Sequence, residues 1–186
     1  ITLMNTTAVR SGGDYVVNGL KTFITNGTIS NYVLVLCQTD ESVSPSYRGQ
    51  SVILVERGTE GFTSSDVGEK MGIKMTSTAE LSFNNVRVPL SHLVGKENRG
   101  FYQVLEFFDE SRIEIAAQAL GIAQGAFDRA LAYTKERSQF GKKLCEFQVT
   151  QHKLADMATK IETARLIVHK AAWNYDQGAM DPKLTS

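Results

Sequence analysis

The chain changes its backbone preference near the middle, and this change constrains the fold more strongly than any single motif does. Residues 1–100 contain 11 of the 15 glycines and two of the three prolines, but only two alanines. Residues 101–186 contain thirteen alanines and four glycines. Because alanine is the best helix former and glycine and proline are the worst, this split predicts strands in the first half and helices in the second.

Composition and charge exclude several classes of function. The 20 Lys and Arg residues balance the 20 Asp and Glu residues, which argues against non-specific nucleic-acid binding. Cys37 and Cys145 are too few for a disulfide scaffold and too far apart for a zinc pair, and no histidine has partners at metal-ligand spacing. No apolar run reaches the length of a membrane span. The chain begins at Ile1 rather than Met, so we expect a piece of a longer protein.

The first half shows short apolar runs separated by turn residues. Asn18-Gly19 is a strong hairpin signal and predicts a turn between two strands. Further strands are predicted at 32–37, 51–55 and 79–88. No helical pattern separates these strands, and parallel pairing needs such crossovers. The pattern therefore predicts an antiparallel β-sandwich or open barrel.

The second half shows apolar residues at three- and four-residue steps, which predicts helices over 101–136 and 148–175. The first helix carries a stripe that includes Ile115, Ile122 and Tyr133. Two helices joined by a short loop should form an antiparallel hairpin, which is too small to bury two wide apolar faces. The fold class is therefore α+β, with a β domain at 1–97 and an incomplete helical bundle at 98–186.

A first candidate site is the segment Lys21 to Gly27. Alternation along a strand places Phe23 and Thr25 on one face, where a ring and a hydroxyl suit a planar heteroaromatic ligand. The alternative is a core phenylalanine beside a threonine of the strand ladder, since both residue types are common in strands.

A second candidate is the segment from Lys135 to Lys143, which holds four cations in nine residues. Such cations complement the negative end of a helix, and this alone explains many clusters of the kind. The functional alternative is a phosphate site in which Arg137 binds the anion and Phe140 offers a surface to a base.

A third candidate lies inside the first helix. Asp109 and Arg112 are three residues apart and can form an ion pair on the apolar side that also carries Phe108. The alternative is an ordinary solvated pair on the helix surface.

Together, these segments resemble the acyl-CoA dehydrogenase family. The resemblance covers essentially the whole chain and rests on the order and spacing of several individually weak motifs. These motifs are the Asn-Gly pair, KTFITNG at 21–27, KMGIK at 70–74, the stretch 78–89 ending in FNNVRVP, FDESR at 108–112, ERSQFG at 136–141, and Gln148.

The resemblance implies a middle β domain and the first helices of a four-helix bundle, in an enzyme that oxidises acyl-CoA to 2,3-enoyl-CoA with FAD. It implies flavin contacts for Phe23, Ile24 and Thr25. Positions that reach the FAD of a neighbouring subunit are Arg137, Gln139, Phe140 and Gln148, and those around the thioester arm are Thr39, Asp109, Ser111 and Arg112. It also implies an electron-transfer flavoprotein as partner, a homodimer or dimer of dimers, and a bacterial cytoplasm or mitochondrial matrix.

The chain departs from the family pattern in its length and in its catalytic base. Family members are longer, and the loop that usually carries the catalytic Glu is absent. Some branches place the base where this chain has Ser111, which cannot serve, and Glu110 should point about 100° away around the helix. We therefore assign no catalytic residue within the chain. An acyl-CoA oxidase of the same fold and a flavin-free CoA-binding or assembly module are the alternatives.

Overall fold

The computed structural model describes residues 2–179 and divides into two compact units, Ile1–Leu105 and Glu106–Ser186. The division lies inside the first long helix, and each unit is described separately. The first unit is a β-sheet and the second is a helix pair, so the predicted α+β class is confirmed.

The first unit contains seven strands: β1 Thr7–Ser11, β2 Asp14–Thr25, β3 Tyr32–Gln38, β4 Gln50–Glu56, β5 Phe62–Asp66, β6 Thr78–Pro89 and β7 Leu93–Val94. They form one sheet with the spatial order β5-β6-β2-β1-β3-β4-β7. All its strand pairs are antiparallel except β1 with β3, which pair in parallel at Thr7 and Gln38. The single-turn 3₁₀ helices Ser46–Gly49 and Leu90–His92 lie in its connections.

Residues of five strands form the core of the first unit. Every second residue of β6 between Ala79 and Phe83 is buried, and Val86 and Val88 continue the row. Since successive side chains of a strand point to opposite faces, this pattern places one face of the sheet inside and the other outside. The other members of the core cluster are Ala8, Tyr15, Val17, Val35, Cys37, Ile53 and Val55.

The predicted hairpin at Asn18-Gly19 is wrong, because β2 runs straight through this pair. The hairpin turn lies earlier, between Ser11 and Asp14. At Gly19 the pairing of β2 with β6 shifts register, and Gly19 adopts φ 136°. A Cβ there would lie 2.7 Å from the Cα of Thr6, so glycine is required for a close backbone approach within a bulge rather than for a turn.

The start of the first helix is fixed against the sheet. Thr39 bonds through its hydroxyl to Ser51 and Asn98, at 2.6 and 3.0 Å. A Cβ on Gly100 would lie 2.7 Å from the Cα of Ser51, so the helix begins where only glycine fits. Just before it, Glu97 accepts two hydrogen bonds from Arg10 and one from the Tyr15 hydroxyl.

The second unit is built on two long helices, α1 Gly100–Glu136 and α2 Gln148–Asp176. A hairpin of β8 Ser138–Gln139 and β9 Lys142–Lys143, followed by the 3₁₀ turn Leu144–Glu146, joins them. Both predicted helices are therefore confirmed to within one residue at each end. Within the described residues, neither helix is long and apolar enough to cross a membrane.

The helix pair leaves much of its apolar surface exposed. In α2 only Ile161 and Ala171 are buried, and Ile122 of α1 is 67% exposed. Three large residues of the predicted α1 stripe, Ile115, Ile122 and Tyr133, are mostly exposed. One groove against α2 is lined by further residues of α1, namely Ile113, Ala117, Leu120, Gly121 and Gln124. A helix with two apolar faces is typical of the interior of a larger bundle, which agrees with the expectation that further helices are needed.

Candidate functional site

The end of β2 carries a bulge at the first candidate site. Between Lys21 and Ile24 the register with β6 shifts, so that three steps along β2 match two along β6. Phe23 takes φ 59° in this bulge, and its side chain is 78% exposed. The simple alternation used to pair Phe23 with Thr25 is therefore interrupted, because the extra residue breaks the period of two.

Phe23 and Thr25 are nevertheless both outside the core. Ile24, between them, pairs with Ala79 and packs against the core cluster, whereas Thr25 is exposed. The alternative of a core phenylalanine is thus excluded within this unit. A benzyl ring on a bulge beside an exposed hydroxyl can receive a flat aromatic ligand.

Two inward groups near this site have shifted pKa values. Burial lowers the pKa of Lys21, whose ammonium donates to the Met4 sulfur at 2.7 Å. Burial also raises the pKa of the Cys37 thiol to about 12, so this cysteine is a neutral core residue and not a nucleophile. Sequence reasoning did not foresee that Lys21 faces inward; its position opposite the buried Leu81 follows from the register with β6.

Thr39, a predicted substrate contact, has its hydroxyl engaged by protein groups. Besides Ser51 and Asn98, the carbonyl oxygen of Gly49 lies 2.9 Å from it. Because a hydroxyl has a single proton, it can donate to only one acceptor at a time. A ligand that accepts a hydrogen bond from Thr39 would have to replace one of these partners.

The predicted pair in α1 is confirmed. Arg112 Nη1 lies 2.6 Å from Asp109 Oδ1, and their side chains are 47% and 28% exposed. Ser111 donates to the carbonyl oxygen of Phe108 at 3.3 Å. The guanidinium keeps further N–H groups free, so a polar ligand can approach the ion pair.

Glu110 interacts with α2, because hydrogen bonding to its carboxylate raises the pKa of Tyr175. Glu110 comes directly before Ser111 in the helix, so the two side chains point about 100° apart around its axis.

The hairpin between the helices separates the cations of the second candidate site. Lys143 donates to the carbonyl oxygen of Glu136 at 2.8 Å, and the Lys142 ammonium lies 4.4 Å from the centroid of the Phe147 ring. Both lysines thus stabilise the helix junction, as the structural alternative expects. Among the described residues, the Arg137 guanidinium has no hydrogen bond or ion pair, so it is available to an anion.

An exposed surface surrounds Arg137. Phe140 and Gly141 form the tip of the hairpin with φ values of 52° and 79°, and Phe140 is 92% exposed. Gln139 and Gln148 are also exposed. This surface can present a cation, an aromatic ring and two amides to an anionic, partly aromatic ligand. Within the described part of the chain, no group of three His, Cys, Asp or Glu side chains could hold a metal ion.

The candidate residues are divided between the two units. The first unit carries Phe23, Ile24, Thr25 and Thr39, and the second carries Asp109, Ser111, Arg112, Arg137, Gln139, Phe140 and Gln148.

Two family profiles cover nearly the whole chain. The acyl-CoA dehydrogenase middle domain matches residues 1–86, and the acyl-CoA dehydrogenase C-terminal domain matches residues 98–186. The chain belongs to the acyl-CoA dehydrogenase family. The resemblance inferred from the sequence motifs is thereby confirmed.

Individual acyl-CoA dehydrogenases share both sequence and structure with the chain. The cyclohexane-1-carbonyl-CoA dehydrogenase of Geobacter metallireducens is 45% identical over 98% of this chain and 47% of its own length. The mitochondrial short/branched chain specific acyl-CoA dehydrogenase of Rattus norvegicus is 45% identical over 91% of this chain and 39% of its own. Relatives thus occur in bacteria and in mitochondria.

The solved structure of butyryl-CoA dehydrogenase from Megasphaera elsdenii superposes with a TM-score of 0.93 at 41% identity. The match covers 98% of this chain and 47% of that one. The chain therefore spans about half the length of the relatives it matches.

Proposed function

We propose that this chain provides part of the FAD and acyl-CoA site of an enzyme that oxidises an acyl-CoA thioester to the 2,3-enoyl-CoA. The observation that carries the proposal is Phe23, a largely exposed aromatic side chain on a bulge beside Thr25, in a chain of this family. The Phe23 side chain does not pack in the core of the β unit, and its exposed ring can stack on a flat ligand.

The residues present fit FAD in two ways. Phe23 would pack against the isoalloxazine ring, and the Thr25 hydroxyl would donate a hydrogen bond near N5. Arg137, which lacks a protein partner among the described residues, would bind the diphosphate of an FAD held by a second copy of the chain, with Gln139, Phe140 and Gln148 around it. When bound, FAD accepts the hydride that leaves the β-carbon of the substrate.

The substrate half of the site would lie at the 108–112 turn of α1. We assign Asp109, Ser111 and Arg112 to contacts with the thioester arm, together with Thr39 on the β unit. The Asp109–Arg112 ion pair orients the guanidinium fork, whose remaining N–H groups can bind carbonyl or phosphate oxygens. The α-proton would be removed by a carboxylate outside this chain, because Ser111 is not a base and Glu110 points about 100° away from it around the helix.

The remaining assignments follow from the family. An electron-transfer flavoprotein would reoxidise the enzyme, and the active form would be a homodimer or a dimer of dimers. We place the boundary between the β domain and the helical domain after residue 97, because Glu97 is bonded to the sheet through Arg10 and Tyr15 whereas α1 begins at Gly100.

The test is a spectrum and a reduction experiment on the full-length protein. We expect flavin absorption bands in the purified protein, bleaching on anaerobic addition of an acyl-CoA, and fast reoxidation only by an electron-transfer flavoprotein. A colourless protein that does not bind added FAD would support the flavin-free module instead. Rapid reoxidation of the reduced protein by O2 would support the oxidase.

A further inference from the structure

A tight turn follows the proposed flavin-contacting segment directly. Asn26, the residue after Thr25, has φ 59°, and its carbonyl oxygen accepts hydrogen bonds from the amides of Ile29 and Ser30 at 3.0 and 2.9 Å. The Gly27 amide donates back to the carbonyl of Ile24 at 3.1 Å. The backbone that presents Thr25 is therefore continuous with this turn.

The side chain of Arg57 binds the turn from the end of β4. Its Nε donates to the carbonyl oxygen of Ser30 at 2.6 Å, and its Nη2 donates to that of Gly27 at 2.9 Å. The Arg57 amide adds a third bond, to the carbonyl oxygen of Asn31 at 2.7 Å. Among the described residues no carboxylate pairs with Arg57, so its guanidinium is committed to this turn.

The opposite side of the turn is fixed as well. The Asn26 amide donates to the carbonyl oxygen of Ser77 at 2.9 Å. A Cβ on Gly27 would lie 2.7 Å from the Cβ of Ala79, so the turn packs directly on β6. Ser77 and Ala79 thus hold one side of the turn, and Arg57 holds the other.

We propose that Arg57 is a positioning residue for flavin binding, because it fixes the turn that sets the place of Thr25 and Phe23. The inference rests on the proposed function of those two residues. Arginine is suited to this task, since its rigid planar fork donates to two carbonyl oxygens at once, whereas lysine offers a single flexible ammonium. A cofactor contact displaced by a fraction of an ångström weakens, since hydrogen bonds depend steeply on geometry.

The experiment uses the full-length protein with Arg57→Ala and Arg57→Lys. Arg87→Ala is the matched control, because Arg87 is an exposed arginine of the same unit that pairs loosely with Asp14 at 3.7 Å. Three quantities are measured: hydrogen exchange at the amides of Ile29 and Ser30, the FAD dissociation constant, and the reduction potential of the bound flavin.

We expect Arg57→Ala to speed exchange at both amides, to weaken FAD binding about tenfold, and to shift the flavin potential. Arg57→Lys should have an intermediate effect on all three quantities and serves if the alanine variant does not fold. Arg87→Ala should match the wild type.

Faster exchange with unchanged FAD affinity and unchanged potential would overturn the inference, because Arg57 would then be merely structural. Unchanged exchange would overturn it too. A wild-type protein that binds no FAD is a different result, which refutes the proposed function itself.

Discussion

The two units of this chain differ in how completely they bury their apolar residues. The β unit has a closed core in which twelve residues of one cluster are at most 3% exposed. The helical unit has long, well-formed helices, yet large residues such as Ile122 and Trp173 remain mostly exposed. A sheet can form its own core by side-chain alternation, whereas two helices cover only one stripe of each other. The difference shows which part of the fold is self-contained and which part needs neighbours.

Truncating one isoleucine in each unit tests this contrast and should give the largest effect. Ile53→Ala removes a fully buried side chain of the β unit and should lower the free energy of unfolding by about 2–5 kcal/mol. Ile122→Ala removes a side chain that is largely exposed and should change it by less than about 0.5 kcal/mol. Urea unfolding of the 186-residue chain measures both values, and equal losses would show that the contrast is wrong.

Replacing one glycine in each unit by alanine should change the free energy of unfolding in opposite directions. Gly19→Ala should destabilise by about 1–3 kcal/mol, because Gly19 has positive φ and no room beside Thr6. Gly121→Ala should instead stabilise by about 0.5–1 kcal/mol, since alanine favours helix and, apart from the adjacent residues and the helix's own backbone, no described atom lies within 4 Å of the new Cβ. The measurement is the shift of the urea midpoint, and a stabilising Gly19→Ala would contradict the bulge.

The sequence predicted the helices better than the strands for a physical reason. Helix periodicity is local, so the bounds of α1 and α2 followed from their apolar spacing. The bulges at Gly19 and Phe23 depend on β6, some sixty residues away, so no local pattern could reveal them. For the same reason the local pattern predicts a turn at Asn18-Gly19, although Gly12-Gly13 forms it.

The candidate site was predicted in part. The Asp109–Arg112 pair lies within one helix turn and was foreseeable from its spacing. The separate roles of Arg137 and the two lysines could not be foreseen, because they depend on the hairpin that brings Lys143 to the carbonyl of Glu136. Arg57 had no signal in the sequence, since its partners are backbone carbonyls almost thirty residues earlier.

A pH-dependent prediction follows from Cys37 in the core of the β unit. Its folded-state pKa of about 12 exceeds the ordinary value of 9.0, so the folded state keeps a proton that the unfolded state loses between these values. Stability from this group is therefore fully present below pH 9 and falls as pH rises toward 12, by at most about 1.4 kcal/mol per pH unit. Cys37→Ala should lack this part of the decline when unfolding free energies are compared from pH 8 to 10.5.

The pH dependence of stability that comes from Lys21 has the opposite sign. Burial lowers its pKa, so its contribution is present above the ordinary value and is lost as pH falls through the folded-state value. Lys21 is present in both proteins, and it interacts electrostatically with Cys37, so the difference between the two curves reports the thiol together with its effect on Lys21. A difference that stays constant over this range would show that Cys37 titrates normally in the folded chain.

The smallest expected changes in stability concern two ion pairs of the helical unit, of which we expect only one to affect function. Asp109–Arg112 and Asp156–Lys160 are both pairs within one helix, with contact distances of 2.6 and 2.7 Å. Exposed pairs of this kind contribute at most about 0.5 kcal/mol, so Asp109→Asn and Asp156→Asn should change the free energy of unfolding little and to a similar extent. In the full-length protein, however, Asp109→Asn should raise KM for acyl-CoA several-fold, because it releases the guanidinium that we propose contacts the thioester arm. Asp156→Asn should leave KM unchanged. Equal KM values for the two variants would mean that the Asp109–Arg112 pair is an ordinary surface pair, and that the substrate half of the proposed site must be sought elsewhere.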